Sequence, residues 1–212
     1  MVSKEVGVEV GNFKDYCEMM ESSRYGIGGC IWDWVDQAIY EPNEIKQGVK
    51  RLHTGYDYPG PHQGNFCSNG VVSPTRQESA KLKEVKGAHQ FIKFSLESVN
   101  KKKNLATIKL KNTYNFTNLN EFDLVWEIVR NGKVVSDKMM RLPAATNGEE
   151  VTLTIKLPKA ALEKADKKGI ETLLNLNVVY HEAQNFAKAG HEVAQAQYTL
   201  ASRAPLAAIT PK

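Results

Sequence analysis

Three cysteines in 212 residues, at positions 17, 30 and 67, are too few and too oddly spaced for a disulfide framework. No Cys-x-x-Cys pair stands among them and no histidine falls at zinc-ligand spacing, so a structural zinc site is not expected either. Buried thiols are the expected state, and they fit a reducing compartment. Long hydrophobic runs are also missing. No stretch approaches the ~18 consecutive apolar residues of a membrane helix. The opening "MVSKEVGVEVGNF" has no basic start followed by an apolar core, so no secretion signal is visible; the compartment is unknown, cytoplasmic or periplasmic. Charge of one sign is scarce: the net charge is only +4, and the one local run, Lys101-Lys102-Lys103-Asn104, has no interleaved aromatics. It reads as a solvated turn and not as a nucleic-acid contact. What remains is the 42% hydrophobic and 25% charged composition of a folded soluble chain.

The chain has two grammars. In the first, Phe13, Tyr16, Cys17 and Met20 fall on one helical stripe, with Asn12 as N-cap and Gly26, Gly28 and Gly29 as breakers. Cys30 to Val35 reads as one short buried strand. Tyr40 to Pro74 lacks periodicity and is expected to be a long irregular loop. A second helix carries Leu82, Val85, His89 and Ile92. From about residue 93 the pattern changes to short alternating segments, "FIKFSLESV", "LATIKLKNTYNF", "FDLVWEIVR", "KVVSDKMMRL", "EVTLTIKL", "LLNLNVVYHEA" and "EVAQAQYTL". Asn131-Gly132 between two of them signals a hairpin. Such a run predicts an antiparallel, immunoglobulin-like β-sandwich, with a helical insert at Lys159 to Lys167 and a linker-like tail, "APLAAITPK".

One stretch needs more than packing to explain it. "GGCIWDWVDQAIY", Gly28 to Tyr40, crowds Trp32, Asp33, Trp34, Asp36 and Gln37 into six residues. With "GNFCSNG" (64–70) and "AGHEVAQAQYTL" (189–200), it resembles family 2 glycoside hydrolases of the β-galactosidase type. The resemblance runs from about Val10 to Leu200. It departs at Gln195, where the family often has Trp, and at "TGYDYPGPHQG" (54–64), which keeps the family pattern only around Asp57.

The resemblance implies a mainly β chain: the last helix–strand–helix unit of a (β/α)8 barrel over residues 1–92, an immunoglobulin-like sandwich over 93–201, and a linker over 202–212. It implies that Trp32 and Asn69 face a sugar, and that the Phe66 carbonyl and the Asn69 side-chain oxygen ligate sodium. Asp33, Asp36 and Gln37 are expected to orient the loop and satisfy buried N–H groups, Trp34 to be shaped by packing, and His62 to be an exposed loop histidine. Magnesium is possible in a parent enzyme, without ligands identifiable here.

A retaining glycosidase needs two carboxylates about 5 Å apart. The resemblance places both upstream of "VGNFKDY" (10–16), and Glu5 and Glu9 stand out of register with the nucleophile. The expected function is therefore a fragment of a retaining β-galactosidase, inactive alone. Its expected partners are the rest of the enzyme chain and a β-galactoside, with neither nucleic acid nor membrane. A non-catalytic sandwich serving as a carbohydrate-binding or spacer module is the alternative.

Overall fold

The computed structural model describes residues 12–62, 67–162 and 170–202. They divide into two compact units, with the boundary between His89 and Gln90. Among the described residues no helix is long and apolar enough to cross a membrane.

The first unit begins with helix α1 (Phe13–Ser22), which stops before the glycines. Phe13 is the buried residue of its stripe. Asn12 stands at the N-cap position, yet its side chain makes no capping bond because its backbone is left-handed, with φ of 60°. A capping side chain reaches the first turn from an extended backbone instead. The Asn12 carbonyl still accepts the Tyr16 N–H at 3.1 Å.

The expected buried strand at Cys30 to Val35 is not a regular strand. It makes one isolated parallel bridge, Val35 to Val72, and its residues are half-buried or exposed. A barrel strand is defined by pairing on both edges, and among the described residues only one edge is partly paired. The cysteines also differ from expectation: Cys30 is exposed and Cys17 and Cys67 are half-buried.

The segment expected to be one long loop contains short elements: β1 (Ile39–Tyr40), α2 (Pro42–Lys46), β2 (Leu52–His53) and a 3-10 turn at Gly55–Asp57. Strands β1 and β2 pair antiparallel. Elements of two to five residues are too short to show a period, which is why the sequence pattern missed them.

Helix α3 (Ala80–Ala88) starts at Ser79, whose Oγ accepts the Lys81 N–H at 3.1 Å. His89 caps the helix and lies against the Phe13 ring at 5.1 Å between centroids. Ile92, expected on this helix, instead opens the first strand of the second unit and is fully buried there. A buried isoleucine fits either period, and here the sheet claims it.

The second unit is the sandwich. Its strands are β3 (Ile92–Asn100), β4 (Leu105–Asn112), β5 (Phe122–Arg130), β6 (Lys133–Arg141), β7 (Glu150–Lys156), β8 (Thr172–Tyr180) and β9 (Glu192–Ala201). They form a three-stranded sheet, β3-β4-β7, and a four-stranded sheet, β6-β5-β8-β9, all antiparallel. The mainly β, immunoglobulin-like architecture expected from the sequence is the one found. Alternation in β4 and β8 puts Ala106, Ile108, Leu110, Leu174, Leu176 and Val178 into one interior cluster. Asn131 and Gly132 form the β5–β6 turn, both with positive φ (48° and 78°), as a two-residue hairpin turn of primed type requires. Lys101 to Asn104 form the solvated turn between β3 and β4. Of the helical insert expected at Lys159 to Lys167, the described part is a 3-10 turn, Lys159–Ala161; the remainder lies outside the described residues.

Candidate functional site

The two motif segments of the first unit lie alongside each other. Val71 donates its N–H to the Asp33 carbonyl, Val72 to that of Trp34, and Asp36 to that of Val72, each at 3.0 Å. The Asp33 N–H reaches the Asn69 carbonyl at 3.4 Å, and that of Gln37 reaches the Cys67 carbonyl at 3.0 Å. "WDWVD" and "NGVV" therefore form a short parallel ladder that no periodicity in either segment announces.

Side chains tighten it. Asp36 Oδ1 accepts the Gly70 N–H at 2.7 Å. Gln37 donates Nε2 to Asp33 Oδ2. Gly70 itself permits the approach: a Cβ there would stand 2.1 Å from the Asp36 nitrogen and 2.5 Å from the Val35 carbonyl carbon. Below the ladder Val71 and Val72 are buried, and Ser79 at the start of α3 donates its hydroxyl to the Val71 carbonyl at 2.5 Å. The Trp32–Asp33 peptide is cis.

Trp32 and Asn69 line one cavity together with Phe13, Val71 and, from α3, Lys81 and Glu84. The cavity measures about 60 Å³, room for a few waters. Trp32 is nevertheless 59% exposed, so most of its ring is open beyond the cavity. Trp34, expected to be held by packing, is 53% exposed. Phe66 lies outside the described residues. Asn69 offers an amide oxygen, the hard donor that suits sodium. Among the described residues no cluster of three or more His, Cys, Asp or Glu could hold a metal ion.

A second polar cluster, which the sequence reading did not anticipate, is built by β2 and its neighbours. His53 is 7% exposed, with Nε2 at 2.7 Å from Glu44 Oε2 and Nδ1 at 3.9 Å from Asp57 Oδ1. Arg51 pairs with Asp57, and Tyr58 donates its hydroxyl to Glu41 Oε1 at 2.5 Å. The Thr54 N–H, with Arg51 beside it, holds the Asp57 carboxyl below its usual range. The bond to Glu41 pushes the Tyr58 phenol up to about 12. Thr54 and Asp57 form a reciprocal cap on the 3-10 turn, so Asp57 has a structural task. The only hint of it in the sequence is the Thr-x-x-Asp spacing. His62 is exposed, as expected, and lies against the Tyr56 ring at 4.7 Å.

Comparison with known proteins bears on both units. Residues 2–94 match the family model "Glycosyl hydrolases family 2, TIM barrel domain", and residues 108–201 match "Beta-galactosidase, domain 4". A beta-galactosidase of Priestia megaterium is 32% identical over 208 residues, which is 98% of this chain and 19% of that protein. One from Pseudoalteromonas haloplanktis is 32% identical over 198 residues, 92% of this chain and 18% of the relative. Beta-galactosidase 2 of Enterobacter cloacae is 31% identical over 196 residues, again 92% and 18%. The chain spans about a fifth of the length of these curated relatives.

Proposed function

The chain belongs to the family 2 glycosyl hydrolases of β-galactosidase type, and from that premise we propose that it supplies one wall of a galactoside site together with the sandwich that follows the barrel. The observation that carries this reading is the shared cavity of Trp32 and Asn69, on a ladder built from the two motif segments. A galactose ring has a face of C–H bonds and a rim of hydroxyls. The exposed indole of Trp32 suits the face, and the amide of Asn69 suits the rim or a cation that orients it. Sodium would be held by the Asn69 side-chain oxygen and the Phe66 carbonyl, where it would supply fixed positive charge beside the sugar hydroxyls.

The reaction of the parent is retaining hydrolysis of terminal β-D-galactosyl residues. Neither carboxylate of that reaction is identified in this chain, so the isolated protein is inactive. Its partners are the remainder of the enzyme chain and the galactoside. A free-standing carbohydrate-binding or spacer module accounts for the sandwich but leaves the Trp32–Asn69 ladder without a purpose.

The test is complementation. Purified protein, free of host galactosidase, is assayed on a nitrophenyl β-galactoside alone and with a separately expressed upstream segment of a β-galactosidase relative. No turnover alone and turnover with the segment are expected, since loss of both carboxylates leaves the barrier nearly uncatalysed. Turnover by the isolated chain would refute the assignment of chemistry to the missing segment.

A further inference from the structure

We propose that the outer edge of β6 docks a second copy of this chain. The two β6 strands pair antiparallel about Met139, with Asp137 of each copy opposite Arg141 of the other. This pairing uses the sandwich alone and does not rest on the galactoside reading.

Strand β6 ends the sheet order β6-β5-β8-β9, so among the described residues no strand lies along its outer edge. The N–H and C=O groups of such an edge are met by water or by another strand. Proline, bulges or shortness commonly blunt an edge. β6 has nine residues and no proline. Its one register shift falls near its start, and from Ser136 to Arg141 its pairing with β5 is regular. The far edge of the same sheet, β9, shifts register near both ends. β6 also carries apolar side chains in water: Val134 and Val135 are 52% exposed and Met139 is 66% exposed. On β7, an edge of the other sheet, the exposed residues are Glu150, Thr152, Thr154 and Lys156.

Charge selects the register. Phe122, Leu124 and Ile128 belong to the interior cluster, so Asp123, Val125 and Glu127 of β5 face outward. Their partners on β6, Arg141, Met139 and Asp137, share that outer face. Asp137 stands opposite Glu127, a like-charge pair, and among the described residues neither forms an ion pair. Arg141 stands opposite Asp123, whose carboxylate is taken by His181 at 2.8 Å. An acid and a base thus flank Met139 on the outer face, two residues to either side. In a continuous antiparallel sheet, opposite side chains lie on the same face, which permits only every second register. Full overlap of two β6 strands, centred on Asp137, would set Asp137 against Asp137 and Lys133 against Arg141, and like charges directly opposite are destabilising. The register centred on Val135 falls on the irregular start of the strand. Centring on Met139 sets Met139 against Met139 and pairs Asp137 with Arg141 twice, as a two-fold interface requires. The contact is short, so the dimer is weak and concentration-dependent.

The test is analytical ultracentrifugation of the whole 212-residue chain, from micromolar to near-millimolar concentration at low salt. The average mass of the wild type should climb toward twice that of the monomer. Asp137→Arg and Arg141→Asp each turn both ion pairs into like-charge pairs, and each alone should raise the dissociation constant ~10-fold or more. An equimolar mixture of these two variants restores opposite charges at both ends and should associate like the wild type. Lys133→Glu lies outside the overlap and should associate unchanged. Both charge-reversed positions are exposed, and melting curves check that the variants stay folded. A wild-type chain that stays monomeric throughout would overturn the proposal. So would a dimer indifferent to both reversals, which would place the contact on another surface, or a mixture that fails to recover association.

Discussion

Trp32 and Trp34 are two residues apart, and a pleated strand would send them to opposite sides, one to a site and one to packing. The ladder is too short to enforce that, and both rings are more than half exposed. What separates them is company. Trp32 shares its cavity with Asn69. In a complemented or full-length enzyme, Trp32→Ala should lower kcat/KM roughly five- to hundredfold through lost ring positioning. The melting temperature of this chain should hardly change, since the ring contributes little burial. Kinetic constants beside melting curves decide it: unchanged kinetics with early unfolding would make Trp32 a structural residue.

At the scale of elements, the sandwich depends on one buried amide as much as on its apolar layers. Asn112 at the end of β4 has no exposed surface. Its Nδ2 donates to the Thr117 and Ala145 carbonyls at 2.9 and 2.8 Å, and its Oδ1 accepts the Tyr114 N–H at 2.9 Å. One side chain thus closes backbone groups from two separate connections. Asn112→Ala leaves those groups unpaired and should cost about 2–4 kcal/mol in a denaturant titration, more than truncating an exposed strand residue. Tyr114 beside it makes an alkaline prediction. Burial, with Tyr180 and Glu121 nearby, pushes its phenol up from 10.0 to about 12. Below 10.0 the phenol is neutral in both the folded and unfolded chain, so its contribution is intact. Between 10.0 and about 12 the unfolded chain loses that proton first, and stability falls as pH rises. Tyr114→Phe should flatten the fall across this window, read from denaturation midpoints at successive pH values. An unchanged slope would assign the alkaline loss elsewhere, with Tyr180 and Tyr198, also raised by burial, as the first places to look.

Over the whole molecule, apolar burial is unequal. The interior cluster draws all its members from residues 92–194. In the first unit, the buried apolar side chains among the described residues are Phe13, Val71, Val72 and Ala88. The sandwich closes its own core, whereas among the described residues the Asp33–Asp36 segment is paired along one side. Hydrogen exchange should therefore protect the amides of Leu174, Leu176 and Val178 at least ~100-fold more than those of Val71 and Val72, because openings range from nearly free to global unfolding. Equal protection would mean that both units unfold as one.

By itself the sequence determined the sandwich, the position of α1, the Asn131-Gly132 turn and the family. Alternation with period two repeats across seven strands, and a helical stripe of four residues or a positive-φ dipeptide is local information. It also marked Trp32 and Asn69 through motifs, although their partnership was a matter of resemblance. Tertiary structure alone decided that Cys30 to Val35 forms no regular strand, that Ile92 opens a sheet and does not end a helix, and that Glu44, His53 and Asp57 gather around a short hairpin. It alone decided that Asp36 takes the Gly70 amide. Each of these depends on which backbone comes alongside, and a partner 34 residues away leaves no trace in a local pattern.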